Sequence, residues 1–157
     1  MAQPIPKGYH SVTPGLAVRD GAKAIEFYKQ AFGATEISRM VTPGDKIGHA
    51  ELQIGDSRIM LGDEFPGGAR SPISLGGTTV SLYVYFGDVD SAFQQAVAAG
   101  AKADMPPTDM FWGDRYAKLT DPFGHSWGLA THTKDVTPEE MQKGAEALFA
   151  QMRTQHA

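Results

Sequence analysis

The sequence predicts an α+β fold of two tandem βαβββ modules, with a C-terminal helix after them. Three observations predict it. A strand-helix-strand-strand-strand pattern occurs twice. Its landmarks recur about 67 residues apart: Gly33-Ala34 as Gly100-Ala101, and Ala50 and Leu52 as Ala117 and Leu119. Beyond the second copy, Thr137-Pro138-Glu139-Glu140 is a capping box with Pro at the first helical position. The expected organisation is one domain over residues 1–133 and a helical tail over 134–157. The domain divides into module one at about 10–64, a connector at 65–79 and module two at about 80–132.

Residues 12–18 read as a first strand, with Pro14 and Gly15 implying an edge or a bulge. Asp20 caps a helix whose face is Ile25, Tyr28 and Phe32, and Gly33 takes the left-handed position that ends it. Residues 35–41 are a second strand, and Pro43-Gly44-Asp45 turns the chain. Residues 49–54 alternate polar and apolar, as a half-buried strand does. The Gly55-Asp56 pair fits a two-residue hairpin into a fourth strand, 58–61. The connector is rich in Gly, Pro and Ser and reads as flexible, with Asp63-Glu64 solvated just before it.

The second half replays the first. Residues 81–86 are a strand. Asp88 or Asp90 caps a helix burying Val89, Phe93, Ala96 and Val97, and Gly100 ends it. Residues 102–105 form a short strand that Pro106-Pro107 breaks. Residues 115–120 alternate as 49–54 do. The Asp121-Pro122-Phe123-Gly124 run fits a type I turn leading into a last strand, 126–131. In the tail, Met141, Ala145, Leu148 and Met152 form one apolar stripe, suited to packing on the domain or on a second copy.

Composition narrows the function. Charge is −4, with 14 Lys and Arg against 18 Asp and Glu and no basic run, which argues against nucleic acid as a partner. The chain has 0 cysteines, so thiol nucleophiles and thiolate metal sites are excluded. No apolar run reaches membrane-spanning length and Met1 to Gly8 lack a signal peptide's apolar centre, so a cytoplasmic protein is expected. There is no P-loop, dinucleotide fingerprint, zinc-protease motif or nucleophile elbow.

Candidate site residues follow from strand parity. His49 and Glu51 lie two apart, opposite in facing to Ala50, Leu52 and Ile54, and their repeat equivalents are Tyr116 and Lys118. A His, a phenol and two charged groups around one cavity suit proton transfer, with His49 and Glu51 as the catalytic candidates. They equally suit polar-ligand binding or an internal Glu51–Lys118 salt bridge. Phe111, Trp112 and Tyr116, with Arg115 among them, suit stacking on a planar or cationic ligand, or closing a core or dimer seam. Tyr83 shares the parity of Ser81, while Tyr85 and Trp127 read as core. His10, His125 and His132 have no spaced partner.

The paired modules resemble the vicinal oxygen chelate superfamily, which includes glyoxalase I, extradiol dioxygenases and bleomycin-resistance proteins. The resemblance rests on Asp20 to Gly33, with Ala24-Ile25-Glu26-Phe27-Tyr28 inside it, and on Asp121-Pro122-Phe123-Gly124-His125. Asp109 to Tyr116 is similar to the PhnB-like branch. The resemblance implies curved mixed sheets enclosing a cavity, a homodimer, and a pocket for a small, partly aromatic molecule, bound or sequestered. The alternatives it implies are a glyoxalase-like lyase or isomerase with a displaced metal or metal-free acid/base groups, or an interaction module with its cavity filled by side chains. It also implies four metal-ligand positions, which fall near Thr13, Met60, Ser81 (or Leu82) and Gly128. None is a good ligand for a divalent metal, so no metal site and no cofactor is expected.

Overall fold

A computed structural model of the chain describes residues 1–155. Strand β1 (Gly15–Val18) leads through helix α1 (Gly21–Phe32) into β2 (Thr35–Val41), β3 (Ile47–Ile54) and β4 (Ser57–Asp63). A short helix α2 (Pro72–Leu75) sits in the connector. The second module is β5 (Ser81–Tyr85), α3 (Val89–Ala99), β6 (Lys102–Asp109), β7 (Asp114–Thr120) and β8 (Ser126–His132), and α4 (Pro138–Gln155) follows. Two four-stranded mixed sheets result, ordered β1-β4-β3-β2 and β5-β8-β7-β6, with each module's first strand parallel to its last. The repeat holds to the register: Ala50 pairs with Leu61 as Ala117 pairs with Leu129.

Local signals explain the helices. Asp20 accepts from the Lys23 N–H and Asp88 from the Ser91 N–H, so each satisfies a free amide at a helix start. Gly33 closes α1 at φ 66°, where a side chain would be strained. Four readings are corrected. First, β1 begins only at Gly15, because Pro14 has no N–H to give a ladder. Second, β6 runs straight through Pro106-Pro107: it is an edge strand, and a register shift between Met105 and Thr108 spans the prolines, which have no amide to pair. Third, the connector is not uniformly flexible, since buried Ser71 caps α2. Fourth, Asp63 and Glu64 are not merely solvated. Asp63 accepts from Gly21 N at 2.9 Å and Ile47 N at 2.7 Å, and Glu64 accepts from Ser71 N and Ser74 Oγ. These carboxylates fasten α1 and α2 to the end of β4.

The two modules share one apolar core. α1 packs on α3, and beneath them lie Leu52, Leu61, Leu119, Trp127 and Leu129. In α3 the buried set is Val89, Ala92 and Ala96, while Val97 is 38% exposed. Buried Asp121 stitches the modules together. It takes Tyr28 Oη at 2.6 Å and Trp127 Nε1 at 2.8 Å, and the amides of Phe123 and His125 at 2.9 Å each. Burial and the neighbouring Asp121 carboxylate push the Tyr28 phenol well above its ordinary pKa. The expected type I turn is present, with Gly124 N donating to Asp121 O at 3.1 Å.

Candidate functional site

Alternation along each strand sends one set of side chains to the helices and the other to an open face. On the first sheet the open face carries His49 and Glu51 from β3 and Arg58 and Met60 from β4. His49 Nε2 lies 3.4 Å from Glu51 Oε1. The N-terminal segment folds over this face. Arg58 stacks its guanidinium 5.2 Å from the Tyr9 ring centre, and its Nε is buried without a hydrogen-bond partner. The Tyr9 hydroxyl is buried facing Glu51 outside good hydrogen-bond geometry. Its proximity, then that of His49, pulls the Glu51 carboxyl below its ordinary range against the opposing effect of burial.

The second open face is aromatic. Tyr85 and Tyr83 meet at 5.2 Å between ring centres, and Tyr83 stacks on Tyr116 at 5.3 Å with 10° between planes. Tyr116 meets Trp112 at 5.8 Å, and Trp112 meets Phe111 edge-on at 5.1 Å. Five rings thus run in one chain across the sheet. Gly128 makes room for it: a Cβ there would lie 2.7 Å from Tyr116 Cε2 and 3.0 Å from Tyr83 Cδ2. Under the rings sits Asp114, only 4% exposed. Its Oδ2 accepts from Tyr83 Oη at 2.8 Å and Tyr85 Oη at 3.1 Å, and its Oδ1 faces His132 Nδ1 at 2.8 Å. His132 Nε2 faces Asp135 Oδ1 at 2.9 Å. Burial pushes the Asp114 carboxyl upward, but His132 and the two phenols outweigh it and the net shift is down. Burial and then the Asp114 carboxylate raise the Tyr85 phenol, and burial is also the main cause at Tyr83. The hydrogen bonds to Asp135 and then Asp114 raise the His132 imidazole.

The expected residues therefore fall in two groups. Tyr83, Phe111, Trp112 and Tyr116 come together, and Lys118 lies on their face one pair beyond Tyr116. His49 and Glu51 stand on the other sheet. Among the described residues no hydrogen bond, ion pair or ring contact joins the two faces, and Glu51 pairs with His49 rather than Lys118. Arg115 points away from the rings, since its neighbours in β7 face the other way. It binds Asp90 at 2.6 and 2.9 Å and Asp109 at 3.1 Å, so it ties β7 to α3 and β6. Tyr85 is corrected from core to surface at 62% exposed, whereas Trp127 is core. Asp114 and His132 were missed as a pair because their partnership crosses β7 and β8, 18 residues apart. Their opposed positions at the ends of two paired strands were the available signal. A cleft of about 610 Å³ adjoins the ring face at the free edge of β5, between Tyr83 and Tyr85 on one side and Val12, Thr13 and Arg58 on the other.

The four positions where the resemblance places metal ligands do not fit a divalent ion. Met60 pairs with Gly15 across β4 and β1, and Gly128 pairs with Tyr83 across β8 and β5. At Gly128 the space a ligand side chain needs is filled by the tyrosine rings. A thioether, a glycine and hydroxyls do not make the imidazole and carboxylate set such ions require.

Comparison with known proteins agrees with this architecture. A Mycobacterium bovis protein, Mb0911c, is 42% identical over 136 residues, covering 84% of this chain and 90% of the relative. The crystal structure of TioX from a Micromonospora species superposes with a TM-score of 0.64 at 29% identity, covering 78% of this chain and 98% of that one. A PhnB protein from Bacillus cereus, named as a putative 3-demethylubiquinone-9 3-methyltransferase, shares the fold with a TM-score of 0.60 at 21% identity, covering 78% and 99%. The family model for the Glyoxalase/Bleomycin resistance protein/Dioxygenase superfamily matches residues 9–129, and the chain belongs to that superfamily.

Proposed function

We propose that the chain is a small-molecule-binding protein of the glyoxalase/bleomycin-resistance type, which binds or sequesters a partly aromatic ligand in the cytoplasm. The observation that carries this is the chain of rings from Tyr85 to Phe111, exposed at Tyr83 and Tyr85 and half-buried beyond them, on a sheet face over a buried, ionised Asp114. Rings in such numbers normally pack into a core, where each contributes about 1.5–3 kcal/mol by leaving water. Here Tyr83 is 43% and Tyr85 62% exposed. An exposed apolar array with a few fixed polar groups beside a cleft is how ligand sites are built. The site includes Tyr83, Tyr85, Trp112 and Tyr116, with Phe111 and Lys118 at its ends.

His49 and Glu51 enter this site only if a second copy supplies them, because among the described residues they contact each other and none of these rings. The proposed homodimer closes the ring face of one copy against the His49–Glu51 face of the other. Sedimentation equilibrium tests the dimer. Titration of small aromatic molecules, followed by Trp112 emission and by shifts of the tyrosine ring protons, tests the binding. Saturable changes that are lost in Tyr116→Ala support the reading, and a flat response across a broad panel overturns it. The His49–Glu51 contact of 3.4 Å supports a second reading, a lyase or isomerase acting through these acid/base groups. Turnover that survives in both His49→Ala and Glu51→Gln removes it.

A further inference from the structure

The polar groups under the rings define the class of ligand, an inference that rests on the binding reading above. A carboxylate only accepts hydrogen bonds. Asp114, 4% exposed, therefore draws the hydroxyl hydrogens of Tyr83 and Tyr85 toward itself, at 2.8 and 3.1 Å. What these two residues hold out to solvent is oxygen lone pairs and ring faces. His132 adds no free donor, because Nδ1 is engaged by Asp114 at 2.8 Å and Nε2 by Asp135 at 2.9 Å. The donors of Tyr83, Tyr85 and His132 are thus turned inward, and the ionised Asp114 makes the two phenol oxygens more negative. A ligand carboxylate or phosphate would find no donor on these three residues, and the Asp114 carboxylate beneath them would repel it. A cationic N–H group would find two acceptors, and π faces that attract it. Lys118 shares the face, but four strand residues put it about 13 Å from Asp114, beyond the reach of exposed charges at physiological salt. The chain's net charge of −4 acts in the same sense.

We propose that Tyr83 and Tyr85, oriented by Asp114, form a recognition site for an organic ammonium carried on a planar aromatic ring. The ring lies against the solvent side of the tyrosine array, and the two phenol oxygens accept the ammonium N–H groups.

The test is calorimetric titration of the full chain with four probes of matched size: benzylammonium, phenyltrimethylammonium, benzyl alcohol and benzoate. Benzylammonium is expected to bind about tenfold or more tighter than benzoate. Tyr85→Phe keeps the ring of a residue that is 62% exposed and removes only its hydroxyl. This variant and Tyr83→Phe are each expected to weaken benzylammonium about five- to tenfold and to leave phenyltrimethylammonium, which has no N–H, within about twofold. Benzoate binding as tightly as benzylammonium overturns the inference and leaves the aromatic-site reading standing. Selectivity unchanged in both phenylalanine variants overturns the role of the hydroxyl oxygens. No binding of any of the four overturns the aromatic-site reading and this inference with it.

Discussion

Single residues set the shape of the candidate site. Gly128 is the clearest case, since any side chain there enters the Tyr116 ring. Gly128→Ala is expected to destabilise the fold by about 1–3 kcal/mol, the usual cost of overpacking, and to splay the tyrosine stack. Urea denaturation and near-ultraviolet circular dichroism measure the two effects. Asp121 is the counterpart in the core. Asp121→Ala leaves the Tyr28 hydroxyl and the Trp127 indole N–H buried without an acceptor. A loss of about 3–5 kcal/mol is expected, read as a lower denaturation midpoint. Part of this scale was legible in the sequence. Strand parity placed Tyr83, Tyr116 and Lys118 on one face, and it put His49 and Glu51 together. It did not show that the two sets share no contact among the described residues, because parity fixes a face within a sheet and says nothing of how two sheets are oriented. The same parity puts Tyr85 on the face of Tyr83, and reading it as core set that signal aside in favour of the usual burial of strand aromatics.

At the scale of elements, α4 shows how a helix is held by little. None of its residues is fully buried, and Met141, Phe149 and Met152 are 36%, 59% and 50% exposed. Its capping box forms in both directions, Glu140 N to Thr137 Oγ1 at 3.2 Å and Thr137 N to Glu140 Oε2 at 2.8 Å. The segment before it is fixed at Gly113, whose carbonyl accepts from the amides of Thr133 and Lys134. The helix then rests on Phe111 through Gly144, where a Cβ would lie 2.6 Å from the Phe111 Cβ. Gly144→Ala raises intrinsic helix propensity by about 1 kcal/mol. It is nonetheless expected to lift α4 from the domain, because the added methyl meets Phe111. Faster proteolysis at residues 133–137, with helical content unchanged, is the expected result, and unchanged protection would show that the helix slides to fit. The helices were readable because caps and apolar periodicity are local signals. The prolines of β6 and the α2 turn were misread, since whether a proline breaks a strand depends on which side of it a neighbour pairs.

For the molecule as a whole, carboxylates tuned by the fold set its response to acid. The Arg39 and Lys29 side chains beside Glu36 lower its carboxyl from 4.5 to about 2, and Ser74 and the Ser71 amide lower Glu64 from 4.5 to about 2. Folding favours the ionised form of both, so their contribution is whole above the unfolded value. It is lost as pH falls from about 4.5 toward 2. His132 acts in the opposite sense. Its folded value lies above 6.5, so its contribution is present below that pH and fades as pH rises through the raised value. Thermal stability is expected to peak between roughly pH 5 and 6.5 and to fall on both sides. Glu64→Gln is expected to flatten the acid limb and His132→Gln the alkaline one. The overall architecture was the most legible level, because duplication repeats the same caps, glycines and alternation at a constant spacing. The cavity was less legible, because it depends on what the open faces meet.

The hydrogen bond from Tyr28 to Asp121 spans 93 residues of chain. During synthesis, at about 5–20 residues per second, the first helix leaves the ribosome roughly 5–20 s before the acceptor for its tyrosine exists. Tyr28, Phe27 and Phe32 must wait through that interval with the second module's share of their core still unmade. The first module is thus a nascent chain with a missing half. The turn at Asp121 brings the acceptor, and β8 behind it, with Trp127 and Leu129, completes the core that the first helix has been waiting for.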